Sequence, residues 1–189
     1  YGEQKKYPTK ENYSPKPNNI YSLSKNFNEN LVEIYSKLYG IKAIGLRFFT
    51  VYGKWGRPDM FIFKIFKSIQ SKKVFELNNY GNHYRDFTSI NDVNKILEKI
   101  INIKKYKGHQ IFNICSGNTL NIKNIVKIMN KKIKFKIKKI DRNSVDLIKT
   151  HGSNKKLINL IGKYNFESLD KEIFKIFEWY KENKIHRIT

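Results

Sequence analysis

The sequence predicts an α/β fold that contains a parallel sheet, and two adjacent segments carry that prediction. Over residues 20–39, apolar side chains recur at helical spacing, and Gly40 is placed to end a helix. Residues 41–48 form a short apolar run, which is typical of a buried strand in a parallel sheet. A helix followed by such a strand is half of a βαβ repeat, so we expect further strands upstream of the helix.

The rest of the chain alternates between helical and extended patterns. In order, we expect a loop at 3–19, a glycine-containing loop at 50–58, a helix opened by Pro58 or Asp59, a strand at 74–77, a turn at 78–82, an extended segment at 85–90 and a helix capped by Asn91 or Asp92 that runs to 103. Beyond these we expect a strand at 111–114, a helix at 121–130, a loop at 141–151, a short helix capped by Ser153 and ended by Gly162, and an amphipathic helix carrying Leu169 and Tyr180.

Composition is that of a folded globular protein. Of the 189 residues, 40% are hydrophobic and 14% aromatic, which excludes a disordered chain. No run is apolar enough to cross a bilayer and no signal peptide begins the chain, so we expect a soluble, cytoplasmic protein. The single cysteine, Cys115, cannot form an internal disulfide, and neither it nor the histidines show metal-ligand spacing, so we expect surface histidines and no metal.

The formal net charge of +22 raises the possibility of a nucleic-acid partner. Lysines are nevertheless scattered over every segment. The densest run, residues 131–139, alternates lysines with Ile133, Phe135 and Ile137 as an exposed strand does. We therefore expect a solvated basic surface and no nucleic-acid groove.

Tyr21 and Lys25 are the first candidate site residues. Positions i and i+4 share one helix face, so both polar ends can reach one site. A phenol has an unperturbed pKa of about 10, and a neighbouring ammonium favours the phenolate, which makes a base near neutral pH. In a chain rich in both residue types, the same spacing also arises by chance.

Longer motifs follow this pair and carry a resemblance to a known family. They are Tyr21-Ser22-Leu23-Ser24-Lys25, Asn28-Glu29, the tract from Gly45 to Gly53, the tract from Trp55 to Met60, and Arg85-Asp86-Phe87-Thr88. In this order they resemble the NAD-dependent nucleotide-sugar epimerase/dehydratase family of extended short-chain dehydrogenases/reductases, and within it the UDP-glucuronate 4-epimerases.

The resemblance implies the C-terminal part of a Rossmann-like, doubly wound parallel sheet with a smaller α/β lobe for the sugar nucleotide. Residues 1–58, with segments at about 85–115, would belong to the NAD-binding domain, and residues 59–189 mainly to the lobe. No glycine-rich dinucleotide fingerprint follows a strand anywhere in the chain. We therefore expect the chain to be the C-terminal half of such an enzyme, which would be a homodimer when complete.

The family's catalytic and cofactor roles fall on Tyr21 and Lys25. The resemblance implies that Tyr21 is the general base and acid, taking the proton of the sugar 4-hydroxyl as hydride leaves C4 for NAD⁺. A 4-keto sugar then turns in the site and receives the hydride on its other face. Lys25 would bind the nicotinamide ribose and lower the pKa of Tyr21. The family's third catalytic residue, a serine or threonine, lies upstream of Tyr1.

Four further residues are implied in binding a UDP-sugar. Thr50 would face the carboxylate of a uronate, with Arg57 as a charged neighbour. Arg85 would hold the diphosphate. Asp146 would accept hydrogen bonds from the uridine ribose. Two alternatives remain open, because the Thr50 hydroxyl could bond the backbone and Arg85 could form a surface salt bridge with Asp86.

Several positions depart from the family pattern. Ser144-Val145 replaces a Pro-Gly pair and Ser153 an aspartate, while Ser89, Asn91 and Lys54 replace a tyrosine, an aspartate and a proline. These departures bear on the substrate more than on the fold. The sequence predicts conversion of UDP-glucuronate to UDP-galacturonate. The alternatives are a 4,6-dehydratase or decarboxylase of the same superfamily, and an inactive remnant or basic binding module.

Overall fold

A computed structural model describes residues 1–103, 106–142 and 146–183. His186, Ser144 and Val145 therefore lie outside the described residues. The described helices are α1 (Ile20–Tyr39), α2 (Phe61–Gln70), α3 (Ile90–Ile101), α4 (Ile122–Lys132), α5 (Lys155–Ile161) and α6 (Leu169–Glu182). The described strands are β1 (Ala43–Phe48), β2 (Thr50–Tyr52), β3 (Phe75–Asn78), β4 (Tyr84–Ser89), β5 (His109–Ile114), β6 (Thr119–Asn121) and β7 (Ile137–Ile140).

Helix α1 is bounded as the sequence predicts. The side chain of Asn19 caps its first turn, accepting a hydrogen bond from the backbone N–H of Ser22 at 2.8 Å. Gly40 ends the helix with φ at 64°, a left-handed conformation that glycine adopts without strain. Both ends of the predicted helix are confirmed.

The expected parallel sheet is also confirmed. Strand β1 pairs with β5 in parallel, with Gly45 opposite Ile111, and β2 pairs in parallel with β4. Strand β4 pairs on its other side with β6 in the antiparallel sense, and β3 pairs in parallel with β7. The sequence predicted that β1 is a buried strand. Among the described residues β1 pairs only with β5, and its residues are half-buried or exposed.

Two hydrophobic cores divide the described residues. One joins β1 and β5 to α3 and α5, with Ile96, Ile114 and Leu157 fully buried in it. The other joins α2, β3, α4 and α6 around Phe66 and Met129. The predicted apolar stripe of the last helix, which runs from Leu169 to Tyr180, is buried in this second core.

Three elements begin at residues other than those predicted. Residues 50–52 are strand β2, because they pair with β4 and thereby satisfy their backbone groups. Helix α2 begins after Met60, later than predicted. Helix α3 is capped by Ser89 rather than Asn91 or Asp92, since the Ser89 hydroxyl accepts from the backbone N–H of Asn91 at 3.2 Å.

The lysine run and the histidines give two further corrections. Lys131 and Lys132 end helix α4, so only residues 137–140 of this region form a strand, β7. His83 is buried rather than on the surface, and burial together with the charge of Arg85 lowers its pKa. No described helix has the length and apolar character needed to span a bilayer.

Candidate functional site

An open cleft of about 640 Å³ lies at the carboxyl end of β1, where open α/β sheets place their ligands. The beginning of α1 contributes Tyr21 and Lys25 to it, and the residues that follow β1 contribute Phe49 and Thr50. Three of the six predicted site residues, Tyr21, Lys25 and Thr50, therefore line one cleft.

Tyr21 and Lys25 lie side by side and are open to solvent. The Tyr21 side chain is 69% exposed, and the Lys25 ammonium lies 5.4 Å from the centre of its ring. Within the described part of the chain, Lys25 has no acidic partner. An accessible phenol beside an unpaired ammonium is an arrangement suited to proton transfer at a bound ligand.

Thr50 is the first residue of β2, and its backbone pairs with that of Phe87. Its hydroxyl makes no hydrogen bond with any described residue. The structure therefore does not show the alternative in which the Thr50 hydroxyl bonds the backbone. The side chain lines the cleft, where its hydroxyl can contact a ligand.

An ion pair fastens α1 to β1 close to Tyr21 and Lys25. Glu29 lies one turn after Lys25, and its carboxylate accepts two hydrogen bonds from the Arg47 guanidinium, at 2.8 and 2.7 Å. Arg47 also donates to the backbone oxygen of Glu11 and stacks 4.5 Å from the centre of the Tyr1 ring. Burial opposes the charge of Arg47, but its hydrogen bonds to Glu29 and the negative charge of that carboxylate outweigh this effect and raise the pKa of Arg47.

Residues 146–153, here called the wall segment, close the cleft on the side of β4. The backbone of the segment follows β4, because Tyr84 N–H donates to Ile148 O at 2.9 Å and Thr150 N–H to Tyr84 O at 3.0 Å. Leu147, Lys149 and Thr150 of the segment line the cleft. The sequence analysis missed Lys149, since an isolated lysine in a lysine-rich chain carries no motif.

Arg85 and Asp146, the first residue of the wall segment, form a second group outside the cleft lining. The Arg85 guanidinium donates to the backbone oxygens of Tyr84 and Ile148, at 2.9 and 3.2 Å. Its pKa is lowered by burial, an effect that the charge of Asp146 partly offsets. Asp146 is exposed and accepts a hydrogen bond from the side chain of Asn78.

The alternative of a surface salt bridge between Arg85 and Asp86 is not observed. Asp86 is fully buried and accepts hydrogen bonds from Ser116 and Gly152 instead. Arg57 is not brought to the cleft either, because its guanidinium pairs with Asp59 at 2.9 Å on the exposed surface.

The chain's own residues fit one end of a dinucleotide cofactor. The Tyr21 hydroxyl and Lys25 ammonium face an open cleft and could hold a nicotinamide ribose, whereas a glycine-rich loop for the pyrophosphate is absent from the sequence. Within residues 1–103, 106–142 and 146–183, no three His, Cys, Asp or Glu side chains gather as metal ligands.

Comparisons with known proteins agree on one family. A family model described as the NAD dependent epimerase/dehydratase family matches residues 1–115. An uncharacterized protein of Methanocaldococcus jannaschii is 36% identical over 188 residues, which are 97% of this chain and 57% of that protein. UDP-glucuronate 4-epimerase 4 of Arabidopsis thaliana is 32% identical over 199 residues, with 95% of this chain and 45% of that enzyme covered.

A solved structure gives the same result for the fold. UDP-glucuronic acid 4-epimerase from Bacillus cereus, in complex with UDP-glucuronic acid and NAD, is similar with a TM-score of 0.88 and 27% identity, over 96% of this chain and 58% of that one. The chain spans about half the length of the curated relatives it matches.

These findings confirm the predicted Rossmann-like α/β class and the predicted cofactor of the family, which is NAD. The tyrosine and lysine that share the cleft lie within the matched residues 1–115. The chain therefore belongs to the NAD-dependent epimerase/dehydratase family.

Proposed function

We propose that this chain is the substrate-binding and proton-transferring part of a nucleotide-sugar epimerase, with UDP-glucuronate as substrate and UDP-galacturonate as product. The observation that carries the proposal is the placement of Tyr21, Lys25 and Thr50 in one cleft at the carboxyl end of a parallel strand. The similarity to epimerases that act on UDP-glucuronate supports the choice of sugar.

In this proposal Tyr21 takes the proton from the 4-hydroxyl of the sugar and later returns it. NAD⁺, when bound, supplies the hydride acceptor. Lys25 places a positive charge beside the Tyr21 ring and binds the nicotinamide ribose. Thr50 donates its hydroxyl to the carboxylate of the uronate, and Arg85 binds the diphosphate through two guanidinium N–H groups. Asp146 accepts hydrogen bonds from the uridine ribose.

The role of Tyr21 is tested by Tyr21→Phe in the full-length protein. This substitution removes only the hydroxyl, so kcat should fall at least about 100-fold, while binding of the sugar nucleotide stays nearly unchanged. Tyr35→Phe is a matched control, because Tyr35 is an exposed tyrosine on the same helix that contacts Tyr39 and lies outside the cleft. Near-normal turnover by Tyr21→Phe would remove the catalytic assignment.

The choice of sugar is tested by comparing two ligands that share uridine diphosphate. UDP-glucuronate should protect the protein against heat more than UDP-glucose does. Thr50→Val should reduce the difference in binding free energy between the two ligands by about 1–3 kcal/mol. Arg85→Ala should weaken both ligands alike, because it acts on the part they share. Equal protection by the two ligands would retain the family but exclude the uronate.

Product analysis separates the epimerase from its alternatives. Epimerisation leaves the mass of the sugar nucleotide unchanged, whereas a dehydratase product lacks one water and a decarboxylase product lacks CO₂. A basic binding module would release no product and would bind oligonucleotides in a steeply salt-dependent manner.

The 189-residue chain by itself should bind NAD⁺ poorly, because its sequence contains no glycine-rich loop to hold the pyrophosphate. Tight NAD⁺ binding by this chain, measured by calorimetry, would contradict the proposal.

The two cores support a proposed division into domains. Residues 1–58, with segments at about 85–115, are assigned to the NAD-binding domain because β1, α3 and β5 share one core. Residues 59–189 form mainly the sugar-nucleotide lobe, although α5 packs in the first core.

A homodimer of the full-length enzyme is also proposed. It is supported by the exposed apolar side chains of α1, among them Phe27 and Leu38. Sedimentation equilibrium of the full-length protein tests it, and a monomer at micromolar concentration would refute it.

A further inference from the structure

A buried carboxylate lies behind the wall segment. Asp86 follows Arg85 in β4 and is completely inaccessible to solvent. Its Oδ1 accepts from the backbone N–H of Ser116 at 3.0 Å and from the Ser116 hydroxyl at 2.7 Å, and its Oδ2 accepts from the backbone N–H of Gly152 at 3.1 Å. The carboxylate therefore joins three segments that are distant in the sequence.

The wall segment forms neither helix nor extended strand, and short contacts hold it in place. Gly152 forms an isolated bridge with Thr9, where Thr9 N–H donates to His151 O and Ser153 N–H donates to Thr9 O, each at 2.8 Å. An isolated bridge between Lys149 and Tyr84 is the pairing of the segment with β4. Asp86 reinforces that bridge twice, since its own backbone N–H donates to the Thr150 hydroxyl at 3.3 Å and its carboxylate holds Gly152. Gly152 is buried, so its N–H has no access to water if the carboxylate is lost.

We propose that Asp86 is a positioning residue for the sugar-nucleotide site: its carboxylate fixes the wall segment against β4, so that Arg85, Lys149 and Asp146 are held where they meet the ligand. This inference rests on the proposed function. Asp86 does not line the cleft, and its carboxylate acts through Gly152, while its backbone N–H bonds the Thr150 hydroxyl.

Asp86→Asn is the sharpest perturbation because both carboxylate oxygens are acceptors. In either orientation of the amide, its NH₂ group faces an N–H or O–H donor where an acceptor is needed. The side chain keeps its shape, so the wall segment is loosened without a cavity. A small displacement of binding groups is costly because a site must be held to within about half an ångström of its working geometry.

The chain offers a matched control in Asp92. This second buried carboxylate also uses both oxygens as acceptors, from the Tyr164 hydroxyl and the backbone N–H of Glu167, each at 2.8 Å. Neither partner lines the cleft. Asp92→Asn therefore removes comparable bonds from the fold without loosening the wall segment.

The experiment measures the affinity for UDP by calorimetry, and the free energy of unfolding by urea, in the full-length protein and both variants. Both variants should be less stable. Only Asp86→Asn should weaken UDP, by about tenfold, with NAD⁺ affinity unchanged, whereas Asp92→Asn should keep UDP affinity within about twofold. Equal UDP affinities in the two variants would overturn the inference.

A milder variant keeps the test decisive if Asp86→Asn does not fold. Ser116→Ala removes the hydroxyl donor to Asp86 and leaves both backbone donors in place. UDP affinity should then fall about two- to threefold, and an unchanged affinity would overturn the inference. Absence of UDP binding by the unaltered protein would instead refute the proposed function and this inference with it.

Discussion

Replacing Glu29 by Gln should loosen the helix that carries Tyr21 and Lys25. Helix α1 has one buried residue, Ser36, whose hydroxyl bonds the backbone oxygen of Ile41 at 2.6 Å. Little apolar packing thus fixes this helix against the sheet in the described part of the chain. The ion pair between Glu29 and Arg47 supplies a directional contact close to the cleft.

The expected cost follows from the burial of the pair. Side-chain exposure is 13% for Arg47 and 23% for Glu29, and both guanidinium contacts to Glu29 are well formed. Breaking a fully buried pair costs about 3–5 kcal/mol, and an exposed pair contributes about 0.2–1 kcal/mol. Arg47 keeps its bond to Glu11 and its contact with the Tyr1 ring, so we expect about 1–3 kcal/mol for Glu29→Gln.

Urea unfolding and steady-state kinetics of the full-length enzyme test this prediction. The free energy of unfolding should fall by the amount given, and kcat should fall about tenfold or more because Tyr21 and Lys25, the pair proposed to be catalytic, shift relative to the ligand. Glu33→Gln is the control, since Glu33 pairs with Lys37 on the exposed surface of the same helix. Equal effects of the two substitutions on stability and kcat would refute the reasoning.

Three further predictions concern buried groups. Gly152→Ala should lower the free energy of unfolding by about 1–3 kcal/mol, because a Cβ there would lie 2.5 Å from the Cys115 sulfur and 2.6 Å from the Phe49 ring; unchanged urea unfolding would contradict this. Burial raises the pKa of the Cys115 thiol, so a thiol reagent should label the protein only after denaturant is added, and rapid labelling of the folded protein would show that the site is open. Burial lowers the pKa of His83, so below a pH of about 6.5 the unfolded state binds more protons than the folded state, and the free energy of unfolding falls as the pH falls. His83→Asn should weaken this dependence of the free energy of unfolding on pH between pH 7 and 5.5, which urea midpoints would show. An identical pH dependence in the variant would exclude His83 as its source.

The sequence predicted those parts of the fold that local chemistry determines. The left-handed glycine at Gly40 ends α1 and was identified from the sequence, whereas Asn19, which caps the other end, was assigned only to the preceding loop. Strand β2 was assigned to a loop because it is three residues long and its pairing with β4 is distant in sequence. Lysines at the end of α4 were assigned to a strand because alternation of lysine with apolar residues also occurs on an amphipathic helix.

In the candidate site, too, local contacts were predicted from the sequence and contacts between distant residues were not. A motif five residues long placed Tyr21 and Lys25 side by side, as the structure has them, since the helix alone sets their spacing. Arg57, by contrast, was placed beside Thr50 by the family resemblance, and the structure pairs it with Asp59 on the surface. The bonds made by the Asp86 carboxylate span 30 residues to Ser116 and 66 to Gly152, and no local pattern encodes such separations.

Two buried or half-buried charged contacts thus hold two elements that line the cleft. Glu29 and Arg47 fix the side that carries the tyrosine and lysine, and Asp86 fixes the wall segment. Each joins elements through directional hydrogen bonds rather than apolar contact, so each constrains orientation as well as distance. Loss of the first should therefore change kcat and loss of the second should change ligand affinity, because α1 carries the groups proposed for proton transfer and the wall segment contacts the groups assigned to the diphosphate and ribose.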